Sequence, residues 1–224
     1  MPDSPPVPAA ASAPAVSTAA ASASAAPAAD PGTVRPGGRT ARVRASVLRA
    51  AGDVLAEQGF AGLDLAEVAA RADVGRTTVY RRWGSTTALV ADLLADMAEQ
   101  SVPRTETGSL LGDLTANAEL VARTLTDPRQ GPLFRAVIAA ATCDDRTARA
   151  LHTFYEVRVA EWAPCVEQAV ARGELPPGTD PREVVRAVSA PLYYRFLVGG
   201  GELDAAVAAR AARAAVEAAK AGAF

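Results

Sequence analysis

The chain has 224 residues, a formal net charge of −2 and 50% hydrophobic residues, which allows one or two domains with a buried core. No run approaches the ~18 uncharged apolar residues of a membrane span, so we expect a cytoplasmic protein without membrane contact. The chain has one histidine and two cysteines, Cys143 and Cys165, and their spacing is not that of metal ligands. We therefore expect no metal site and no cofactor, and we expect both thiols to be buried.

The first predicted element is a tail over residues 1–34. Of these 34 positions, 13 are Ala, 7 are Pro and 5 are Ser, and none is Leu, Ile or aromatic. Such a segment buries too little apolar surface to offset its ordering entropy, so we expect it to be disordered. It lacks the basic start and the apolar central run of a signal peptide.

A first helix is predicted by the 3.6-residue spacing of apolar side chains between Val43 and Leu55. Gly59 should end this helix, and Phe60 is placed for the hydrophobic contact that follows a glycine C-cap. Ser85 can cap a later helix that carries further leucines.

Residues 63–83 indicate two short helices joined by a tight turn, with arginines clustered on the second. Asp64 and Glu67 can form a capping box at the start of the first helix. In the second helix, Val79 and Trp83 should face inward, whereas the polar residues face outward. This is the pattern of a helix-turn-helix, in which the second helix enters the major groove of DNA. The alternative is an ordinary αα-hairpin with a solvated arginine face.

After Pro103 the pattern is helical, with no two-residue alternation long enough to predict a strand. The turn residues between the periodic segments predict helices at about 109–126, 130–142, 145–172, 181–198 and 204–221.

These features resemble the TetR family of bacterial transcriptional regulators over about residues 39–101. The residues that carry the likeness are Gly59-Phe60, 63–72, the run from Ala72 through Asp73, Val74 and Gly75 to Trp83, and Ala88-Leu89. Asp73 and Gly75 replace the family's usual glycine and serine. Thr86 stands where many members have a lysine that touches the DNA backbone.

The resemblance implies an all-α fold, with an N-terminal three-helix helix-turn-helix domain over 35–85 and a C-terminal helical regulatory and dimerisation domain over 86–224. The implied function is that of a sequence-specific transcriptional regulator without enzymatic activity. We expect a ligand-released repressor that binds a double-stranded, palindromic DNA operator as a homodimer. The alternative is a helical protein-binding scaffold, which should lack a steep salt dependence on DNA.

Eight residues are the candidate DNA contacts. We expect backbone contacts from the start of the first helix and base-edge contacts from Arg76 and Thr77, with Thr78 and Tyr80 on phosphates. The full set is Arg39, Thr40, Arg42, Arg76, Thr77, Thr78, Tyr80 and Arg81. Two runs without acidic residues, 35–49 and 74–91, carry five and three arginines and should converge on one basic face.

Two features of the C-terminal half concern dimerisation and an effector. The helix over 184–197 has an apolar stripe, and the last helix has 11 alanines within 205–221; both suit a dimer interface. The alternative is that both faces are buried inside the same chain. The family's small-molecule pocket would be lined by large side chains that cluster in this half: Met97, Phe134, His152, Tyr155 and Trp162. A lone histidine such as His152 is more often a surface or satisfied core residue.

Overall fold

The computed structural model describes residues 36–101 and 103–224, so the tail predicted over 1–34 lies outside the described residues. That part of the chain contains nine α-helices and no strand, which confirms the predicted all-α class. The helices are α1 Pro36–Gln58, α2 Leu65–Arg71, α3 Arg76–Trp83, α4 Thr86–Glu99, α5 Leu110–Thr126, α6 Gln130–Ala141, α7 Asp145–Ala171, α8 Pro181–Tyr194 and α9 Ala205–Lys220. Among them, none combines the length and apolar character that crossing a membrane requires.

The predicted signals at the ends of α1 and α4 are confirmed. Gly59 follows α1 with φ +71°, a conformation that glycine adopts without a steric penalty. Phe60 then begins a short 3₁₀ turn, Phe60–Gly62, and packs against the core. At the start of α4, the Ser85 hydroxyl accepts a hydrogen bond from the Ala88 N–H at 3.2 Å.

The capping box predicted for α2 is only half formed. The Asp64 carboxylate accepts from the N–H groups of Ala66 and Glu67, at 2.7 and 3.1 Å. Glu67 does not complete the box, because its carboxylate accepts instead from Arg71 Nε at 2.8 Å. An ion pair one turn along the helix therefore takes the place of the predicted return bond.

One hydrophobic core runs through residues 36–224, which form a single compact unit. Helix α1 packs on α6, and α4 packs along α7, so the N-terminal helices rest directly on the C-terminal ones. Helix α4 consequently belongs to both halves of the molecule.

The first turn of α6 needs a glycine, since a Cβ at Gly131 would lie 2.4 Å from the Leu125 carbonyl oxygen.

The apolar stripe predicted for association is largely internal. Val184, Val185, Val188 and Leu192 of α8 are buried within the same chain, and the buried alanines of α9 face α5 and α8. Alanine suits this position because its small side chain lets helices approach closely, so this buried part of the stripe assigned to dimerisation is core. Outside this core, Tyr194 at the end of α8 and Val198 in the π-helical turn Arg195–Gly199 that follows keep 66% and 70% of their surface exposed.

The two cysteines differ in environment. Cys165 is buried, as predicted, and burial raises the pKa of its thiol to about 12. Cys143 is exposed, so the prediction of two buried thiols is wrong for this residue. It follows α6 in the short turn before α7, where no neighbouring helix covers it.

Candidate DNA-binding surface and C-terminal cavity

Helix α3 is held by its two inward residues. Val79 and Trp83 are 0% and 8% exposed, as the apolar spacing predicted. The opposite face of the helix presents Arg76, Thr77 and Tyr80 to solvent. With Arg81, which is also exposed, this face carries the hydrogen-bond donors that a major-groove helix needs.

The turn between α2 and α3 contains an unusual backbone conformation. Asp73 has φ +53°, the only positive φ of a non-glycine residue in the described ranges. This is the left-handed region, which disfavours side chains with a Cβ but tolerates aspartate better than most. The glycine that the family commonly has here is therefore explained by the backbone.

The start of α1 lies beside α3. A groove of about 480 Å³ is lined by Arg39 and Thr40 of α1 together with Thr78 and Arg81 of α3. Arg42 is exposed outside this groove, and its Nε donates to the Gly38 carbonyl at 3.1 Å. The sequence reasoning missed Arg82, which also lines the groove and stacks 5.1 Å from the centre of the Trp83 ring.

Arg44 is not part of the expected basic face. Its guanidinium donates to Asp92 at 2.7 Å and also pairs with Asp96, both on α4. The hydrogen bond to Asp92 raises the pKa of Arg44 above its ordinary value. The acid-free run of α1 thus supplies one arginine to a structural ion pair.

The same Asp92 also contacts α3. The Trp83 indole N–H donates to its Oδ2 at 2.9 Å. Burial would raise the pKa of Asp92, but the hydrogen bonds from Arg44 and Trp83 outweigh burial and lower it. One carboxylate therefore connects α1, α3 and α4.

A larger cavity of about 980 Å³ lies among the C-terminal helices and the end of α4. All five residues predicted for a ligand pocket line it: Met97, Phe134, His152, Tyr155 and Trp162. Phe134 and Trp162 are buried, whereas His152 is exposed. The structure brings the predicted set together around one cavity.

The sequence reasoning missed two residues of this cavity. Tyr193 was assigned to the association stripe, but it lines the cavity edge-on to Tyr155, with ring centroids 5.4 Å apart. Burial raises its pKa to about 12. Asn117 lines the cavity from α5 and is buried. Its only sequence signal is a polar residue at a position of the helix that otherwise faces the core.

The charged residues around the cavity are paired with one another. Glu156 accepts from Arg186 at 2.6 Å, and Arg186 also pairs with Glu183. Two further arginines of the cavity wall each form an ion pair with a carboxylate beside the cavity: Arg129 with Asp53, and Arg158 with Glu161. Among the described residues, each arginine and glutamate of the cavity wall therefore has a partner of opposite charge.

A short basic helix that faces solvent and is braced by a second helix is the arrangement found in helix-turn-helix DNA-binding proteins. The model for "Bacterial regulatory proteins, tetR family" matches residues 47–93, and the model for "Tetracyclin repressor-like, C-terminal domain" matches residues 104–215. The chain is a member of the TetR family, whose members are regulators and not enzymes.

Relatives and solved structures agree with this membership. The chain is 30% identical over 160 residues to the HTH-type transcriptional regulator YdeS of Bacillus subtilis, covering 71% of this chain and 80% of that one. It is 30% identical to the DNA-binding transcriptional repressor TetR of Mycobacteroides abscessus, covering 74% and 87%. The structure of the TetR family transcription regulator SCO0332 superimposes with a TM-score of 0.63 at 26% identity, covering 79% and 97%.

Proposed function

We propose that the protein is a ligand-released repressor that binds a palindromic operator as a homodimer in the bacterial cytoplasm. Exposure of Arg76, Thr77, Tyr80 and Arg81 on α3 supports direct contact with DNA. One similar protein is named a DNA-binding transcriptional repressor, which favours repression over activation. We retain 35–85 as the DNA-binding domain and 86–224 as the effector and dimerisation domain.

We assign DNA roles within this proposal by position. Arg39, Thr40 and Arg42 at the start of α1 would hold the sugar-phosphate backbone. Arg76 and Thr77, at the N-terminal end of α3, would read base edges, since this end of a recognition helix enters deepest. Thr78, Tyr80 and Arg81 would complete the groove and phosphate contacts.

Control by an effector is supported by the position of α4, which extends from the recognition helix to the large cavity. Near the middle of the helix, Asp92 accepts from the Trp83 indole N–H of the recognition helix. Beyond it, Met97 and Gln100 line the large cavity, and Ser101 bonds to Glu161 of α7 at 3.3 Å. A ligand that shifts the end of α4 would therefore change the orientation of α3. It would favour a conformation in which two recognition helices no longer match successive grooves.

Dimerisation through the end of α8 and the turn Arg195–Gly199 is supported by an apolar patch that the described residues leave uncovered. Tyr194 and Val198 are large apolar side chains one helical turn apart, and Pro191 and Leu197 beside them are also exposed. Exposed apolar patches of this kind commonly mark interfaces. A palindromic DNA site is bound by a protein with two-fold symmetry. We place the contact between the two subunits at this patch.

The proposal is tested by selecting bound sequences from a random duplex pool and measuring mass on and off DNA. We expect a dimer, an inverted repeat, and half-sites about 34–36 Å apart. Tyr194→Glu combined with Val198→Glu should give a monomer with at least ~100-fold weaker operator binding, because two linked half-site contacts become one. The matched control, Leu111→Glu with Val157→Glu, places the same charges at exposed apolar sites elsewhere.

A stable wild-type monomer that binds a single half-site would contradict dimeric recognition. The protein-binding scaffold predicts something different, namely no saturable DNA binding and no steep dependence on salt. The salt titration of the wild-type protein on the selected duplex therefore separates the two functions.

A further inference from the structure

The large cavity contains polar groups that the described chain does not satisfy. The Asn117 side-chain oxygen, the Tyr155 hydroxyl and the Trp162 indole nitrogen are buried and make no hydrogen bond of ordinary geometry with the described residues, although the Tyr155 hydroxyl lies near that of Tyr193. All three residues line the same cavity. Buried donors and acceptors are nearly always paired, since leaving one unpaired costs its full desolvation free energy. Around one cavity, three such groups are positions at which a bound molecule can supply the partners.

The walls around these groups favour a ring system. Phe134, Phe154, Tyr155 and Tyr193 form a continuous series with ring centroids 5.5, 5.3 and 5.4 Å apart. Aromatic surfaces of this kind pack well against flat apolar molecules in stacked or edge-to-face arrangements. A cavity of about 980 Å³ is at the upper end of the ~300–1,000 Å³ usual for small-molecule sites.

The charges around the cavity favour a neutral molecule. Glu156 and Glu183 are balanced by Arg182 and Arg186, and Arg129 and Arg158 each pair with a carboxylate. An ionised ligand would lose its water and meet no free counter-charge among the described arginines and carboxylates of the wall, which is unfavourable. The two unpaired groups that α7 contributes to this cavity are a neutral hydroxyl and an indole N–H, and both can donate to an uncharged acceptor.

We propose that the cavity binds a neutral, ring-containing molecule with a carbonyl-type acceptor, which accepts from the Tyr155 hydroxyl or the Trp162 N–H. A donor on the ligand, where present, pairs with the Asn117 oxygen. The two donors lie seven residues apart on α7, about 10 Å along its axis, so they address different levels of the cavity. This inference rests on the proposed function, in which the cavity is the effector site.

The test uses three probes with one ring skeleton: fluorenone, fluorene and fluorene-carboxylate. Calorimetry on the full chain should show fluorenone binding ~3- to 10-fold more tightly than fluorene, the ratio that one net hydrogen bond gives. Fluorene-carboxylate should bind more weakly than fluorenone. The carbonyl stretching band of bound fluorenone should lie at lower frequency than in hexane, because a hydrogen-bonded carbonyl is weakened.

Variants identify the donor. Tyr155→Phe keeps the ring and removes the hydroxyl, while Trp162→Phe removes the N–H. In one of them the preference for fluorenone over fluorene should fall to about one, and the carbonyl band should return toward its hexane position. Thr153→Val is the control, because it removes an exposed hydroxyl of the same helix outside the cavity. Should Trp162→Phe fail to fold, Asn117→Leu and Tyr155→Phe still test the cavity.

Operator binding without probe is measured in parallel, so that two failures stay distinct. A protein that binds its operator but prefers the carboxylate, shows no preference for the ketone or binds no probe overturns the assigned ligand class alone. A preference that survives in both the Tyr155 and Trp162 variants overturns the assigned donors. Loss of all operator binding by the wild-type protein instead overturns the proposed function.

Discussion

The Trp83 indole N–H and the Asp92 carboxylate, 2.9 Å apart, connect the recognition helix α3 to the connecting helix α4. Asp92 also accepts from Arg44 of α1 at 2.7 Å, so the three helices that position the DNA-binding surface share one acceptor. Asp92 is partly buried, and its partners lie 9 and 48 residues away in sequence.

Replacing this acceptor should destabilise the protein. Asp92→Asn removes the charge from hydrogen bonds to Arg44 and Trp83, and we expect a loss of about 1.5–3 kcal/mol in unfolding free energy. Urea denaturation followed by circular dichroism measures the change. Glu99→Gln, an exposed carboxylate on the same helix, is the matched control and should have almost no effect. Equal stability of the two variants would contradict a structural role for Asp92.

The stabilisation by Asp92 should depend on pH. Its pKa in the folded protein is lowered from the ordinary 3.8, because hydrogen bonds from Arg44 and Trp83 outweigh the effect of burial. The contribution is therefore complete above pH 3.8 and is lost as pH falls through the lower, folded-state value. The difference in unfolding free energy between wild type and Asp92→Asn should be constant from neutral pH to pH ~5 and shrink in more acidic buffer. A difference that grows on acidification contradicts the direction of this pKa shift.

The positive φ of Asp73 predicts an order of stability for three residues at this position. Glycine should be the most stable by roughly 0.5 kcal/mol, because it has no Cβ to strain the left-handed conformation. Alanine should be the least stable, by about 1 kcal/mol relative to aspartate, since it has the Cβ without the polar side chain that tolerates this region. Thermal melts of the three proteins test the order, and an alanine variant more stable than the glycine variant would show an ordinary φ.

Substitutions on α3 should distinguish residues that read base edges from residues that contact the DNA backbone. Arg76→Ala should cost about 1–3 kcal/mol on the preferred operator and relax preference at one base pair per half-site. Tyr80→Phe should weaken binding to all sequences alike, because a lost hydroxyl–phosphate contact carries no base information. Fluorescence anisotropy on the preferred site and its single-base variants measures both effects. The reverse pattern would mean that α3 is rotated in the groove relative to our assignment.

The two thiols should react differently in the native protein. A thiol reagent should modify Cys143 rapidly and Cys165 only on unfolding, because Cys165 is buried and its pKa is raised to about 12. Cys143→Ser should therefore abolish the fast reaction, whereas Cys165→Ala should leave it unchanged. Mass spectrometry of the labelled protein counts the modified thiols, and two fast thiols in the wild type would mean that α7 is less well packed than described.

The helices, several of their caps and the inward faces of Val79 and Trp83 could be predicted from sequence, because each depends on residues a few positions apart. Asp64, Ser85 and Gly59 act on their own helix ends, so their effects are visible in a local pattern. The cavity residues were instead predicted from the clustering of large side chains together with the family resemblance, which implies a pocket in this half of the chain.

The tertiary structure alone decided how those helix faces are used. An apolar stripe is equally suited to a core or to a partner, and only the packing of α8 and α9 against α5 shows that Val184 and its neighbours are internal. The sequence allowed Arg44 to contact DNA, but in the structure it pairs with two carboxylates that lie 48 and 52 residues away. Asn117 and Tyr193 join the cavity for the same reason. Long-range contacts determine the partners of a side chain, whereas local periodicity determines only the face on which it lies.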